Sequence, residues 1–172
     1  MEVLCRLSYS GGSAMIATVL RGPAVVVVVV AAFAAGACSR AVGERPFAYA
    51  GRVRFGDGGT VLRVALATSN VQKARGLMHV DALPPDAGMA FVWTAPTTSG
   101  FWMKDTVIPL SVAFVDDEDR IVTIRDMAPC TSDPCPVYEA DGPFVLAVEA
   151  NRGWFDDHGV AVGDRAVLEL TP

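Results

Sequence analysis

The chain has 172 residues, of which 52% are hydrophobic and 19% are charged. This length suits one domain with its own core, and the composition excludes a disordered, collagenous or multi-span membrane protein. The 14 Lys and Arg residues against 19 Asp and Glu give a net charge of -5. Such a balance disfavours nucleic acid as a partner, because a phosphate backbone is bound by a basic surface.

The N-terminal 37 residues have the layout of an export signal. Arg21 stands before an uncharged stretch over residues 22–39, and small residues lead up to Cys38. The sequence Ala-Gly-Ala-Cys resembles the lipobox at which bacterial signal peptides are cut and the cysteine is acylated. We therefore predict a lipoprotein signal peptide over residues 1–37, with Met15 as an alternative start, and lipid attachment at Cys38. Two or more acyl chains give stable anchoring.

Two other interpretations of this segment remain open. It is slightly shorter than the roughly 20 residues that span a bilayer, but it can still act as an uncleaved membrane anchor. It can also be an ordinary cleaved signal that releases a secreted protein. All three place the domain outside the cytoplasm, and we expect a protein anchored to the cell membrane. Residues 38–51 are then a tether, and residues 52–172 form the exported domain.

Strand patterns recur along the exported domain. Runs of β-prone residues are separated by Gly, Pro and acidic turns, with a short helix over residues 70–78 capped by Ser69 or Asn70 and another near 151–158. The predicted strands are 52–55, 60–68, 88–93, 110–115, 121–124, 144–149 and 166–170. About seven short strands with one or two short helices predict a mainly β fold, a compact antiparallel barrel or sandwich. The acidic tip at 116–119 lacks the ligand spacing of a calcium loop and is interpreted as a solvated turn.

Two cysteines lie close together in the exported part. Cys130 and Cys135 are separated by four residues, and an oxidising compartment favours a structural disulfide between them. A redox-active pair is the alternative, although the spacing is not C-x-x-C.

Soft metal ligands are present but scattered. Met78, Met89, Met103 and Met127, with His79, could bind Cu(I). Methionine is also a flexible core filler, and these residues form no M-x-M or H-x-M cluster. The two histidines, His79 and His158, lack zinc-ligand spacing. We therefore expect neither a metal nor a cofactor.

The segment over residues 101–110, FWMKDTVIPL, combines aromatic and apolar residues with Lys104, Asp105 and Thr106. Apolar walls with a few oriented polar groups are typical of a ligand pocket. The alternative is a corner of the fold, with Trp102 in the core and residues 104–106 in a solvated turn.

Several of these segments resemble a known family. The run Arg-Gly-Leu-Met over residues 75–78, Gly-Met at 88–89 and the segment 101–110 resemble the domain of unknown function 192 family, an ancient conserved region of bacteria and archaea. The resemblance covers roughly residues 53–170 and implies a small β-rich, barrel-like fold, often behind a signal peptide, without an activity to carry over. Val80, Asp105 and Ser111 depart from the family pattern, which commonly has Arg, Asn and Asp there, so the charge of any shared site is altered here.

Two functions are compatible with these residues. The first is a binding or accessory module of the cell envelope, for an unknown small molecule or envelope protein, with a groove framed by Arg75 and the segment around Trp102. The second is an envelope hydrolase or transferase, with Asp105 as general base and Lys104 or Arg75 as electrostatic stabiliser. We prefer the binding module and leave enzymatic activity open. The candidate ligand-binding residues are Arg75, Met78, Met89, Trp102, Met103, Lys104, Asp105 and Thr106.

Overall fold

The computed structural model describes residues 48–57 and 59–171. The predicted signal peptide, Cys38 and most of the predicted tether lie outside these residues. Within the described part, no helix is long and apolar enough to cross a membrane. In chain order the elements are β1 (Gly51–Phe55), β2 (Thr60–Ala67), α1 (Asn70–Arg75), β3 (Ala87–Thr97), β4 (Phe101–Trp102), β5 (Leu110–Val115), β6 (Ile121–Met127), β7 (Val137–Tyr138), β8 (Phe144–Asn151), α2 (Trp154–Asp157) and β9 (Ala166–Leu170).

Seven strands form one sheet in the order β6-β5-β8-β3-β2-β1-β9. Every neighbouring pair is antiparallel except β2 and β3, which run parallel and are connected through α1. The remaining strands, β4 and β7, form a separate antiparallel pair. The outer strands β6 and β9 approach each other at one point, a bridge between Arg120 and Arg165. The described strands do not close a barrel, and the mainly β fold is sandwich-like.

Side chains of the large sheet alternate between two cores. In β5 all six residues are buried: Leu110, Val112 and Phe114 belong to one apolar cluster, and Ala113 and Val115 belong to the other. This is the two-residue period of a strand covered on both faces. The first cluster, with Phe91, Met103 and Phe144, lies on the sheet face that also carries a cleft lined by Phe91 and Phe101.

Helix α1 begins as the sequence predicts and ends earlier. Ser69 caps it: its Oγ accepts a hydrogen bond from Gln72 N at 3.2 Å, and Gln72 Oε1 accepts one from Ser69 N at 3.0 Å. The helix ends at Arg75 rather than at Met78, because Gly76 takes φ 46°, outside the helical range. The chain then turns so that Leu77 is buried against the sheet.

The two-residue strands β4 and β7 are additional to the seven predicted strands, and the parallel pair makes the large sheet mixed. The acidic tip between β5 and β6 is a turn, in which Asp116 Oδ1 accepts hydrogen bonds from Glu118 N at 2.9 Å and Arg120 N at 2.8 Å. The predicted disulfide is present between Cys130 and Cys135, whose Cα atoms are 5.8 Å apart.

Candidate functional site

A cleft of about 240 Å³ opens between α1 and β4 over the first core. Helix α1 with the turn after it, strand β3, strand β4 and one residue of β8 all contribute to it. The cleft is lined by Asn70, Lys73, Ala74, Arg75, Gly76, Leu77, Met78, Phe91, Trp93, Ser99, Gly100, Phe101, Trp102, Thr106 and Glu149.

Aromatic rings form the walls of the cleft. The Phe91 and Phe101 rings meet edge to face with their centroids 5.0 Å apart, and Trp93 packs edge-on against Phe144 at 5.2 Å. These rings are held from behind by the core, so the walls are preformed. Trp102 differs from them because it is 48% exposed and lies at the rim.

Among the residues that the structure describes, Glu149 is the only acidic one that lines the cleft. It lies on β8 between Met89 of β3 and Val112 of β5, and it is 4% exposed. Its Oε2 has no hydrogen-bond partner among the described residues. Burial raises the pKa of this carboxyl to about 8, because desolvation disfavours its charged form. At neutral pH the group is therefore mainly an uncharged acid with a proton to donate.

The charged groups that remain in the cleft lining are both basic and both come from α1. Lys73 Nζ lies 4.5 Å from the centroid of the Trp93 ring, a cation–π contact. Arg75 is exposed and lines both the cleft and the second pocket, on the other side of the turn after α1. The cleft thus combines cations on its helical side, apolar aromatic walls and a neutral acid in its buried part.

Four of the predicted site residues line the cleft: Arg75, Met78, Trp102 and Thr106. The other four do not. Met103 is 1% exposed and belongs to the first core, and Met89 lines a second pocket on the other side of the turn after α1.

Lys104 and Asp105 form a turn rather than part of the cleft lining. Lys104 Nζ lies 2.6 Å from Asp133 Oδ2 on the disulfide loop, and this hydrogen bond raises the pKa of Lys104. Asp105 has φ 54°, and its carbonyl oxygen accepts a hydrogen bond from His79 N at 2.9 Å. A left-handed conformation suits Asn and Asp better than other non-glycine residues, so the aspartate here fits the backbone requirement of the turn.

The second pocket, of about 550 Å³, brings together three of the five residues considered for copper. Met78, His79 and Met89 line it, whereas Met127 and Met103 are buried in the first core. Among the described residues, no group of three or more His, Cys, Asp and Glu side chains is arranged to hold a metal ion.

The sequence did not point to Glu149, Lys73 or Trp93 as site residues. A usable signal for Glu149 was present, since it is the one charged residue in the apolar strand FVLAVEAN. An ionisable side chain in a largely buried strand needs a partner or a function.

The described residues form a small, mainly β domain that carries a cleft of mixed polarity. The chain belongs to the DUF192 family, described as uncharacterized ACR, whose model matches residues 53–168. Two solved structures are similar to it. One is a candidate transcription regulator from Sinorhizobium meliloti 1021, 31% identical, with a TM-score of 0.64 over 73% of this chain and 98% of that chain. The other is a protein of unknown function from Novosphingobium aromaticivorans DSM 12444, 32% identical, with a TM-score of 0.60 over 69% of this chain and 83% of that chain. No curated protein matches the chain.

Proposed function

We propose that the chain is an exported, lipid-anchored protein of the cell envelope whose cleft binds a small molecule. The observation that carries the binding proposal is Glu149, which lines a cleft with aromatic walls and whose buried Oε2 has no hydrogen-bond partner among the described residues. Buried polar groups are normally satisfied, so one that faces a cleft marks the place where a ligand group fits. At the rim, Lys73 and Arg75 offer positive charge to the ligand, and Trp102 offers an aromatic surface.

A binding role is better supported than the hydrolase or transferase considered from the sequence. That mechanism relies on Asp105 as general base, with Lys104 or Arg75 as stabiliser. Arg75 lines the cleft, but Asp105 and Lys104 do not, and Lys104 is paired with Asp133. Within the described part of the chain, no second acid lines the cleft with Glu149 to share proton transfer. A role in transcription, as in the name of the Sinorhizobium protein, is not favoured either, because the net charge of -5 opposes DNA binding.

Export rests on two observations of different kinds. The N-terminal 37 residues have the layout of a lipoprotein signal ending before Cys38. The Cys130–Cys135 disulfide suits an oxidising compartment.

Replacing Cys38 by Ser and following palmitate labelling tests the anchor. Labelling should disappear in the variant, and unchanged labelling would refute attachment at Cys38.

Binding is tested with para-acetylbenzenesulfonate, a small aromatic anion whose charge does not change between pH 5 and pH 10. The full chain is used in lipid nanodiscs, with empty nanodiscs as the baseline, and heat of binding is measured by titration calorimetry. Trp102→Ala should weaken binding, while Val162→Ala, at a comparably exposed residue outside the cleft, should not.

The same complex can be located by chemistry, because Lys73 and Lys104 are the only lysines in the chain. The ligand should protect Lys73 from reductive methylation and leave the reactivity of Lys104 unchanged. The absence of both measurable heat and Lys73 protection at millimolar concentrations of the anion would reject this anion-binding function for the cleft.

A further inference from the structure

The position of Glu149 fixes what its carboxyl can do for a ligand. Its backbone is paired with β3 on one side and β5 on the other, and the residue lines the cleft together with Phe91, Phe101 and Thr106. A buried carboxyl that lacks a partner costs free energy, and a ligand group that accepts its hydrogen bond removes that cost. The gain is specific, because an apolar group of the same shape leaves the carboxyl unsatisfied.

The other charges around this carboxyl decide the sign of the ligand. Helix α1 contributes Lys73 and Arg75 to the lining. Strands β3 and β4 contribute aromatic residues there, the turn after β4 contributes Thr106, and β5 places Val112 beside Glu149 in the sheet. A cationic ligand therefore meets two like charges on entering, whereas an anion meets two opposite ones.

We propose that Glu149 is a specificity-determining residue and that the cleft selects amphipathic organic anions with a carbonyl or hydroxyl oxygen at the end opposite the charge. The uncharged acid of Glu149 donates a hydrogen bond to that oxygen, the aromatic walls contact the apolar body, and Lys73 and Arg75 hold the anionic group. This inference rests on the proposed binding function and names its ligand class. No covalent step is involved.

A matched pair of anions tests the hydrogen bond. Para-acetylbenzenesulfonate carries an acceptor opposite its charge, and para-isopropylbenzenesulfonate has nearly the same shape without one. The wild-type chain at pH 7 should bind the acetyl compound about tenfold more tightly, a difference of about 1.4 kcal/mol. Glu149→Leu should abolish this preference. An equal preference in Glu149→Leu and wild type would overturn the inference.

The pH dependence provides a second, independent readout. If only the protonated cleft binds the acetyl anion, its affinity should fall about tenfold between pH 7 and pH 9 as Glu149 ionises around pH 8. Glu149→Gln keeps a neutral donor of the same size, so its affinity at pH 7 should stay within about threefold of wild type and remain constant to pH 9. Circular dichroism at each pH confirms that the variant is folded.

The outcomes separate the two proposals. A wild-type affinity that is constant to pH 9, or one that falls equally in Glu149→Gln, overturns the role of Glu149 while the cleft remains a binding site. Tighter binding of para-isopropylbenzylammonium than of either anion overturns the proposed ligand class. Absence of binding by all three compounds, with Lys73 unprotected, rejects the binding function for this cleft as well.

Discussion

Lys73 Nζ lies 4.5 Å above the Trp93 ring, so one of the two lysines of the chain is fixed at the edge of the cleft. The other lysine, Lys104, is held by Asp133 at 2.6 Å, outside the cleft lining. The two residues carry the same charge and differ in what they face. They therefore form a natural matched pair for experiment.

Lys73→Gln should weaken binding of para-acetylbenzenesulfonate about threefold, because it removes one of the two cations near the bound anion. Lys104→Gln removes the same charge from the chain and should leave the affinity unchanged. Calorimetric titration of both variants beside wild type measures the difference. A similar loss of affinity in both variants would mean that only the total charge of the chain matters. That result would contradict binding of the anion beside Lys73.

Glu149→Gln should alter the dependence of stability on pH. The folded carboxyl has its pKa raised from 4.5 to about 8, so between these values the folded chain keeps a proton that the unfolded chain has lost. The contribution of Glu149 to wild-type stability is therefore complete below about pH 4.5 and is lost as the pH rises to about 8. Glutamine does not titrate and removes this loss.

Thermal unfolding at pH 5 and at pH 8 checks this expectation. The melting temperature of Glu149→Gln relative to wild type should rise by at least about 5 °C between the two pH values. Glu139→Gln, at an exposed position, controls for the loss of one negative charge. A constant difference between Glu149→Gln and wild type across this range would show that the carboxyl titrates normally in the folded chain.

Gly88→Ala should disrupt the junction of β3 and β8. A Cβ at this position would overlap the carbonyl oxygen of Glu149 and approach Leu62 Cδ2 to 2.9 Å, so two neighbouring strands would have to separate. We expect a loss of more than about 3 kcal/mol in urea unfolding. Gly142→Ala is the matched control, since a Cβ there has no atom within 4 Å, and it should change stability by less than about 0.5 kcal/mol.

Removing the disulfide should destabilise the domain moderately. The closed loop between Cys130 and Cys135 is short, and the chain-entropy model assigns it about 2 kcal/mol. Urea unfolding of the Cys130→Ser, Cys135→Ser double variant measures this loss. The same variant should also bind the acetyl anion more weakly. The backbone of Cys130 forms isolated β-bridges with Lys104 and Thr106, and Thr106 lines the cleft. Unchanged affinity with reduced stability would show that the disulfide loop does not support the cleft.

The elements that depend on local signals agree closely with the sequence. The predicted strands 110–115 and 166–170 match β5 and β9 at both ends, and the Ser69 cap begins α1 at Asn70. Alternating burial and capping are properties of a few neighbouring residues, so they can be inferred without the rest of the chain. The Cys130–Cys135 disulfide is also confirmed, and it too joins residues that are close in the sequence.

The features that depend on distant partners were not predictable in this way. Strands β4 and β7 have two residues each and exist because Phe101 pairs with Tyr138, 37 positions away. The parallel pairing of β2 with β3 also follows from tertiary arrangement, since the pattern of each strand fits either direction. Glu149 lines the same cleft as Lys73 and Trp102 only because the fold brings together residues that are far apart in the sequence.

The connection between β2 and β3 carries both cations of the cleft, while the acid is fixed in the sheet. The entrance and the base of the proposed binding site are therefore formed by separate segments of the chain. Lengthening or recharging residues 68–86 can change which molecules are admitted without breaking any strand ladder. Such a scaffold is well suited to divergence, because related proteins can keep the same sheet and differ in ligand specificity.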